Sequence, residues 1–239
     1  MEIKHFQVHG IPSILWGEPS KNLYLFIHGQ KGCKEEAEPF AEIAVRYGWQ
    51  VLSIDLPEHG ARKEEKTSFD PWHVVPELLK VMEYAKAHWN CIALRANSIG
   101  AWFSMLSYSN MNLKKCLFVS PILDMQQLIQ NMMLWAGVSE DQLRQEQIIP
   151  TSFGQTLSWE YLSYVKEHPI TNWSFPTEIL YGDKDNLTER SIVESFIKRF
   201  GCKLTIMENG EHWFHTPEQL KFLDKWTIDS FENMVELEY

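Results

Sequence analysis

Six short apolar runs recur along the chain, each ending in a polar or glycine-bearing turn. Asn22–Ile27, Gln50–Asp55, Cys91–Ala96, Lys115–Ser120, Thr177–Tyr181 and Lys203–Met207 are rich in apolar residues, Asn22–Ile27 nearly continuously so. Such runs suit strands covered on both faces. The stretches between several of them repeat apolar residues every three or four positions, as amphipathic helices do. Phe40, Ile43, Ala44 and Tyr47 mark a helix over 34–47, and Val75, Leu78, Leu79, Met82 and Ala85 mark another ending near His88. Asp70 followed by Pro71 supplies a capping side chain and a proline at the first helical position. A further helix is predicted from Thr188 to Phe200. Thr216-Pro217-Glu218-Gln219 reads as a capping box opening a last helix, with Leu220, Leu223, Trp226 and Phe231 toward the sheet. Residues 2–9 and 11–16 form two short strands around Gly10, an edge hairpin.

Strand and helix alternate, so the pattern predicts an α/β fold: a mostly parallel twisted sheet with helices on both faces. The alternation stops between Pro121 and Pro176. Met125, Leu128, Ile129, Met132, Met133 and Trp135 lie in a helical pattern there, with further helices predicted at 139–146 and around 158–164. This reads as a mostly helical cap, residues 122–175, inserted within one domain spanning 1–239. A methionine and aromatic stripe is ordinarily core packing. The alternative is a lid with an apolar underside, for which Met132, Trp135 and Trp159 are the candidate substrate contacts.

Composition narrows the function. With 239 residues and 44% apolar content the chain can bury a large core. A net charge of −10 argues against nucleic acid or an anionic membrane as the main partner. Cys33, Cys91, Cys116 and Cys202 are widely separated with no CxxC pair, so neither a disulfide framework nor a zinc site is indicated. The first residues lack the apolar run of a signal peptide, and no apolar stretch reaches membrane-spanning length. The expectation is a cytoplasmic protein that does not insert into membranes.

The chemistry centres on Cys91–Trp102. A buried-strand pattern runs into Ala96-Asn97-Ser98-Ile99-Gly100 and continues as a buried helix pattern. A serine on such a tight turn carries its hydroxyl above the sheet edge, beside helix N-terminal N–H groups. This small-x-Ser-x-Gly pattern resembles the nucleophile elbow of the α/β-hydrolase family, with Ala96 where that family usually has Gly. The resemblance extends over nearly the whole chain, least over the insertion. Gly182-x-x-Asp185 and Gly210-x-His212-x-Phe214 look like the family's acid and histidine turns. His28-Gly29 and Asp55-x-Pro57-x-x-Gly60 look like its oxyanion and following-strand turns. The order Ser, Asp, His is that of the family.

The resemblance implies Ser98 as nucleophile, His212 as base and Asp185 as the acid that orients it, with the backbone N–H groups of Gln30 and Ile99 as the oxyanion hole. Asp183 is the competing acid, and spacing from Gly182 favours Asp185. His215, three residues past His212, lacks the further ligands a metal needs. His28 and His59 read as structural braces, and no cofactor or metal is expected. The function implied is a serine hydrolase cleaving a carboxylic ester of a small to medium, partly apolar molecule through an acyl-enzyme. Thioesterase, amidase and carbon–carbon bond hydrolase remain alternatives, as does a non-catalytic binding protein of the same fold. A dehalogenase would need a carboxylate where Ser98 stands.

Overall fold

A computed structural model describes residues 1–236; positions 237–239 of the expected 1–239 domain lie outside the described residues. An edge hairpin opens the chain, β1 (Ile3–Val8) pairing antiparallel with β2 (Ile11–Trp16). β3 (Asn22–Ile27), helix α1 (Glu38–Ala44), β4 (Gln50–Ile54), helix α2 (Pro71–His88), β5 (Cys91–Asn97), helix α3 (Ile99–Tyr108) and β6 (Cys116–Val119) follow. The segment before the next central strand holds α4 (Met125–Ala136), α5 (Glu140–Glu146), a hairpin of β7 (Ile148–Pro150) and β8 (Thr156–Ser158), and α6 (Trp159–Glu167). β9 (Thr177–Gly182), α7 (Arg190–Phe200), β10 (Lys203–Met207) and α8 (Pro217–Glu236) complete the chain.

The main sheet has the order β1-β2-β4-β3-β5-β6-β9-β10, parallel from β4 through β10 and antiparallel at the β1 and β2 edge. Alternation along β3 shows why its whole run is apolar. Leu23, Leu25 and Ile27 enter a core shared with α2, α3 and α7, whereas Tyr24 and Phe26 enter one shared with α1 and α8. Residues of the insertion (Leu128, Ile129, Met133, Leu143, Leu162) pack into the first core. Both faces of the strand exclude water from Leu23 to Ile27, so no charged or amide side chain stands in that stretch.

The sequence patterns mark most elements and miss some boundaries. Asp70 accepts the amide N–H of His73 at 3.0 Å, capping α2 as expected. Thr216 and Gln219 exchange the reciprocal bonds of a capping box, each at 3.3 Å. The expected single helix over 34–47 is instead a 3₁₀ turn (Lys34–Ala37), α1 and a second 3₁₀ turn (Val45–Tyr47). Pro39 has no N–H to give the preceding turn, so the α-helix starts afresh there. Leu220 is 44% exposed rather than turned to the sheet. Gln219, Trp226, Thr227, Ser230 and Phe231 take the inner face of α8. The β7–β8 hairpin is absent from the sequence expectation, since three-residue strands leave too short a period to read. Among the described residues no helix is long and apolar enough to cross a membrane.

Candidate active site

The C-terminal edges of β3, β5, β9 and β10 bring four turns together. At the end of β5, Ser98 has φ 50° and ψ −124°, a backbone conformation that L side chains rarely adopt. Its amide N–H is held by the carbonyl of Val119 at 2.9 Å, and its carbonyl accepts the N–H of Ile122 at 3.1 Å. The chain therefore leaves the strand, reverses sharply and enters α3 at once. Small neighbours make this possible. A Cβ on Gly100 would lie 2.5 Å from the carbonyl oxygen of His28, and one on Gly29 would lie 3.1 Å from the Cβ of Ser98. The turns after β3 and β5 are thus pressed against each other.

Ser98 Oγ lies 2.8 Å from His212 Nε2. On the other side of the ring, His212 Nδ1 lies 2.7 Å from Asp185 Oδ2. The second carboxylate oxygen of Asp185 accepts the backbone N–H groups of Leu187 and Thr188 at 2.8 and 3.0 Å. These bonds fix the carboxylate and delay the start of α7 to Arg190, two residues later than the pattern predicts. The Asp185 side chain is wholly buried and that of His212 nearly so. Asp183, the competing acid, makes no bond to His212. Its amide N–H is bound to Met207 O, and its Oδ1 is buried without a protein partner.

Two histidines brace the turn after β3. His28 is fully buried, donating from Nδ1 to the carbonyl of Gly29 (2.7 Å) and accepting at Nε2 from the N–H of Leu56 (3.0 Å). Burial pushes its imidazole down from the ordinary 6.5 to about 4, so the ring is neutral. His59 accepts from the N–H of Lys31 at 2.8 Å and donates to the carbonyl of Pro57 at 2.7 Å. Beneath them Asp55, with no exposed side-chain surface, binds Lys34 Nζ (2.7 Å), Lys34 N–H (2.8 Å) and Ala61 N–H (2.9 Å). These bonds brace the turn that carries Gln30. The Ile99 amide opens α3, where an N–H has no intrahelical acceptor.

The other sequence candidates are placed as follows. Met132 is half-buried against the first core. Trp135 is half exposed, its ring edge-on to Phe153 at 6.1 Å. Trp159 lies beneath the cations of Arg144 and Lys166, each 5.7 Å from a ring centroid. His215 is bound through Nδ1 to the carbonyl of Trp213 and stacks on that ring. Among the described residues no group of His, Cys, Asp and Glu could hold a metal. Sequence reasoning missed Gln155, in the β7–β8 turn, whose carboxamide exchanges bonds of 3.3 and 3.4 Å with that of Gln30. Nothing in the sequence signals a contact across 125 positions.

No protein-family model and no curated protein matches this chain. Solved structures do. Est1E from Butyrivibrio proteoclasticus, solved with ferulic acid bound, superposes with a TM-score of 0.80 at 19% identity, covering 98% of this chain and 99% of that one. The alpha/beta hydrolase domain-containing protein 10 from mouse gives 0.75 at 11% identity, covering 98% and 100%. An esterase from Pyrococcus furiosus gives 0.68 at 16% identity, covering 98% and 90%. Sheet order, elbow and full-length superposition agree: the chain has the α/β-hydrolase fold.

Proposed function

We propose that the protein is a serine hydrolase that cleaves a carboxylic ester of a small to medium, partly apolar molecule through an acyl-enzyme. The observation that carries this reading is the unbroken chain from Ser98 Oγ through His212 to the buried Asp185, at 2.8 and 2.7 Å, on a strained turn. A serine hydroxyl is a weak nucleophile until a base takes its proton. His212 Nε2 takes it as Oγ attacks the carbonyl carbon of the ester, and the carbonyl oxygen becomes the oxyanion. Asp185 accepts from Nδ1–H throughout, holding the tautomer and stabilising the imidazolium. The backbone N–H groups of Gln30 and Ile99 receive the oxyanion, where one such donor is worth about 3–4 kcal/mol of barrier. Collapse expels the alcohol with the proton from His212. Water then repeats the cycle on the acyl-enzyme, releasing the acid and restoring Ser98.

Three supports favour turnover over a binding protein of the same fold. The nucleophile, base and acid all stand in register, the oxyanion turn is braced by two histidines, and fold relatives include named esterases. In this reading residues 122–175 form a lid, and the Gln30–Gln155 pair joins it to the oxyanion turn. Thioester cleavage would use the same groups. The test is hydrolysis of short p-nitrophenyl esters by the purified protein and by Ser98→Ala. Hydrolysis by the wild type that disappears in a folded Ser98→Ala supports the reading. Undiminished hydrolysis in that variant removes it.

A further inference from the structure

A cavity of about 370 Å³ lies outside this site. None of Ser98, Asp185 or His212 lines it. It opens between α7 and the insertion. Trp102, Leu123, Val165, Ile192 and Phe196 form an apolar bed, and polar groups stand at its rim, among them Ser195 and Arg199. Its volume is within the range of small-molecule pockets, and its lining mixes apolar side chains with several polar ones.

Charge at the rim selects the ligand. Arg199 forms no ion pair with a carboxylate among the described residues. Its guanidinium lies against the ring of Phe200, and its protein hydrogen bond is a 3.4 Å contact to the carbonyl of Thr171. By contrast the rim carboxylate of Asp124 is already engaged, accepting the amide N–H of Gln127 at 2.9 Å to cap α4. His168 is engaged through Nδ1 with the carbonyl of Tyr164. An under-used planar cation beside an apolar bed matches a carboxylate joined to a hydrocarbon body.

We infer that this cavity is a second ligand site, distinct from the proposed catalytic centre, which binds an amphipathic carboxylate with its head on Arg199 and its apolar body over Trp102 and Phe196. Its walls adjoin the catalytic segments. The Leu123 wall follows Ile122, whose N–H holds the carbonyl of Ser98 at 3.1 Å. The α7 wall follows Thr188, whose hydroxyl donates to Pro121 O at 3.0 Å. Occupancy therefore bears on segments that hold Ser98 and Asp185.

Titration calorimetry of the full chain with octanoate tests the site without relying on hydrolysis. Octanoate is expected to bind wild type and Ser98→Ala equally. Arg199→Gln should weaken it about fivefold, as loss of a solvent-facing ion pair does, with Arg199→Lys partly restoring it. Ser195→Trp, which fills the cavity from an exposed helix position, should abolish binding. Octanol bound as tightly as octanoate would overturn the carboxylate assignment. Octanoate affinity unchanged in both Arg199→Gln and Ser195→Trp, or no binding at all, would overturn the site.

Discussion

Gly182 lies directly against Gly210: a Cβ added to Gly182 would sit 2.3 Å from the carbonyl oxygen of Gly210 and 2.8 Å from that of Glu211. The obstructing atoms are backbone and cannot swing aside. This contact docks the turn that carries Asp185 onto the turn that carries His212. Gly182→Ala should therefore separate them, costing about 1–3 kcal/mol in stability and about a hundredfold in ester hydrolysis through misplacement of the imidazole. Urea midpoints and kcat would show it; a wild-type rate in Gly182→Ala would contradict the docking role.

Ser98 holds a positive φ of 50° that glycine adopts more readily. We expect Ser98→Gly to abolish hydrolysis while raising stability by about 1 kcal/mol, as strain at the turn is relieved. Thermal unfolding of the two proteins measures this. A clear loss of stability in Ser98→Gly would mean that the turn is relaxed with serine in place.

Asp185 and Asp183 differ in partner rather than in chemistry. Asp185→Asn should lower kcat by about 10⁴, since an amide facing Nδ1 favours the wrong tautomer. Asp183→Asn should leave kcat close to wild type. The opposite order would reassign the acid.

Acid destabilisation should trace to His28. The unfolded chain takes up a proton on this residue near pH 6.5, whereas burial delays uptake in the folded state to about pH 4. More protons are then bound by the unfolded state across that window, so stability is full above pH 6.5 and declines as pH falls toward 4. The loss amounts to about 3 kcal/mol at most. Urea unfolding at pH 7, 5.5 and 4 should show His28→Gln with a flatter profile than wild type. Parallel profiles would place the acid sensitivity elsewhere.

Lys34 neutralises Asp55 in a dry site. Lys34→Met leaves that carboxylate unpaired, and a loss of about 3–5 kcal/mol follows from breaking a buried pair on one side. Chemical denaturation measures it. A change under about 1 kcal/mol would show that the amide N–H groups of Lys34 and Ala61 suffice.

Local rules made much of this protein legible from its residues. Tyr24 and Leu25 are both apolar because β3 is covered on both faces, and Asp70-Pro71 writes the start of α2 in two letters. Ala96-Asn97-Ser98-Ile99-Gly100 ends in glycine because the end of β3 and its turn press on that position. Each of these leaves its mark within a few adjacent residues, which a linear pattern records. Only the tertiary structure set Asp185 rather than Asp183 beside His212, turned Leu220 to solvent, paired Gln30 with Gln155 and opened a cavity beside Arg199. Those outcomes depend on how segments far apart in the chain are packed. Distance across a fold is fixed by the sum of many contacts, and no local period carries it.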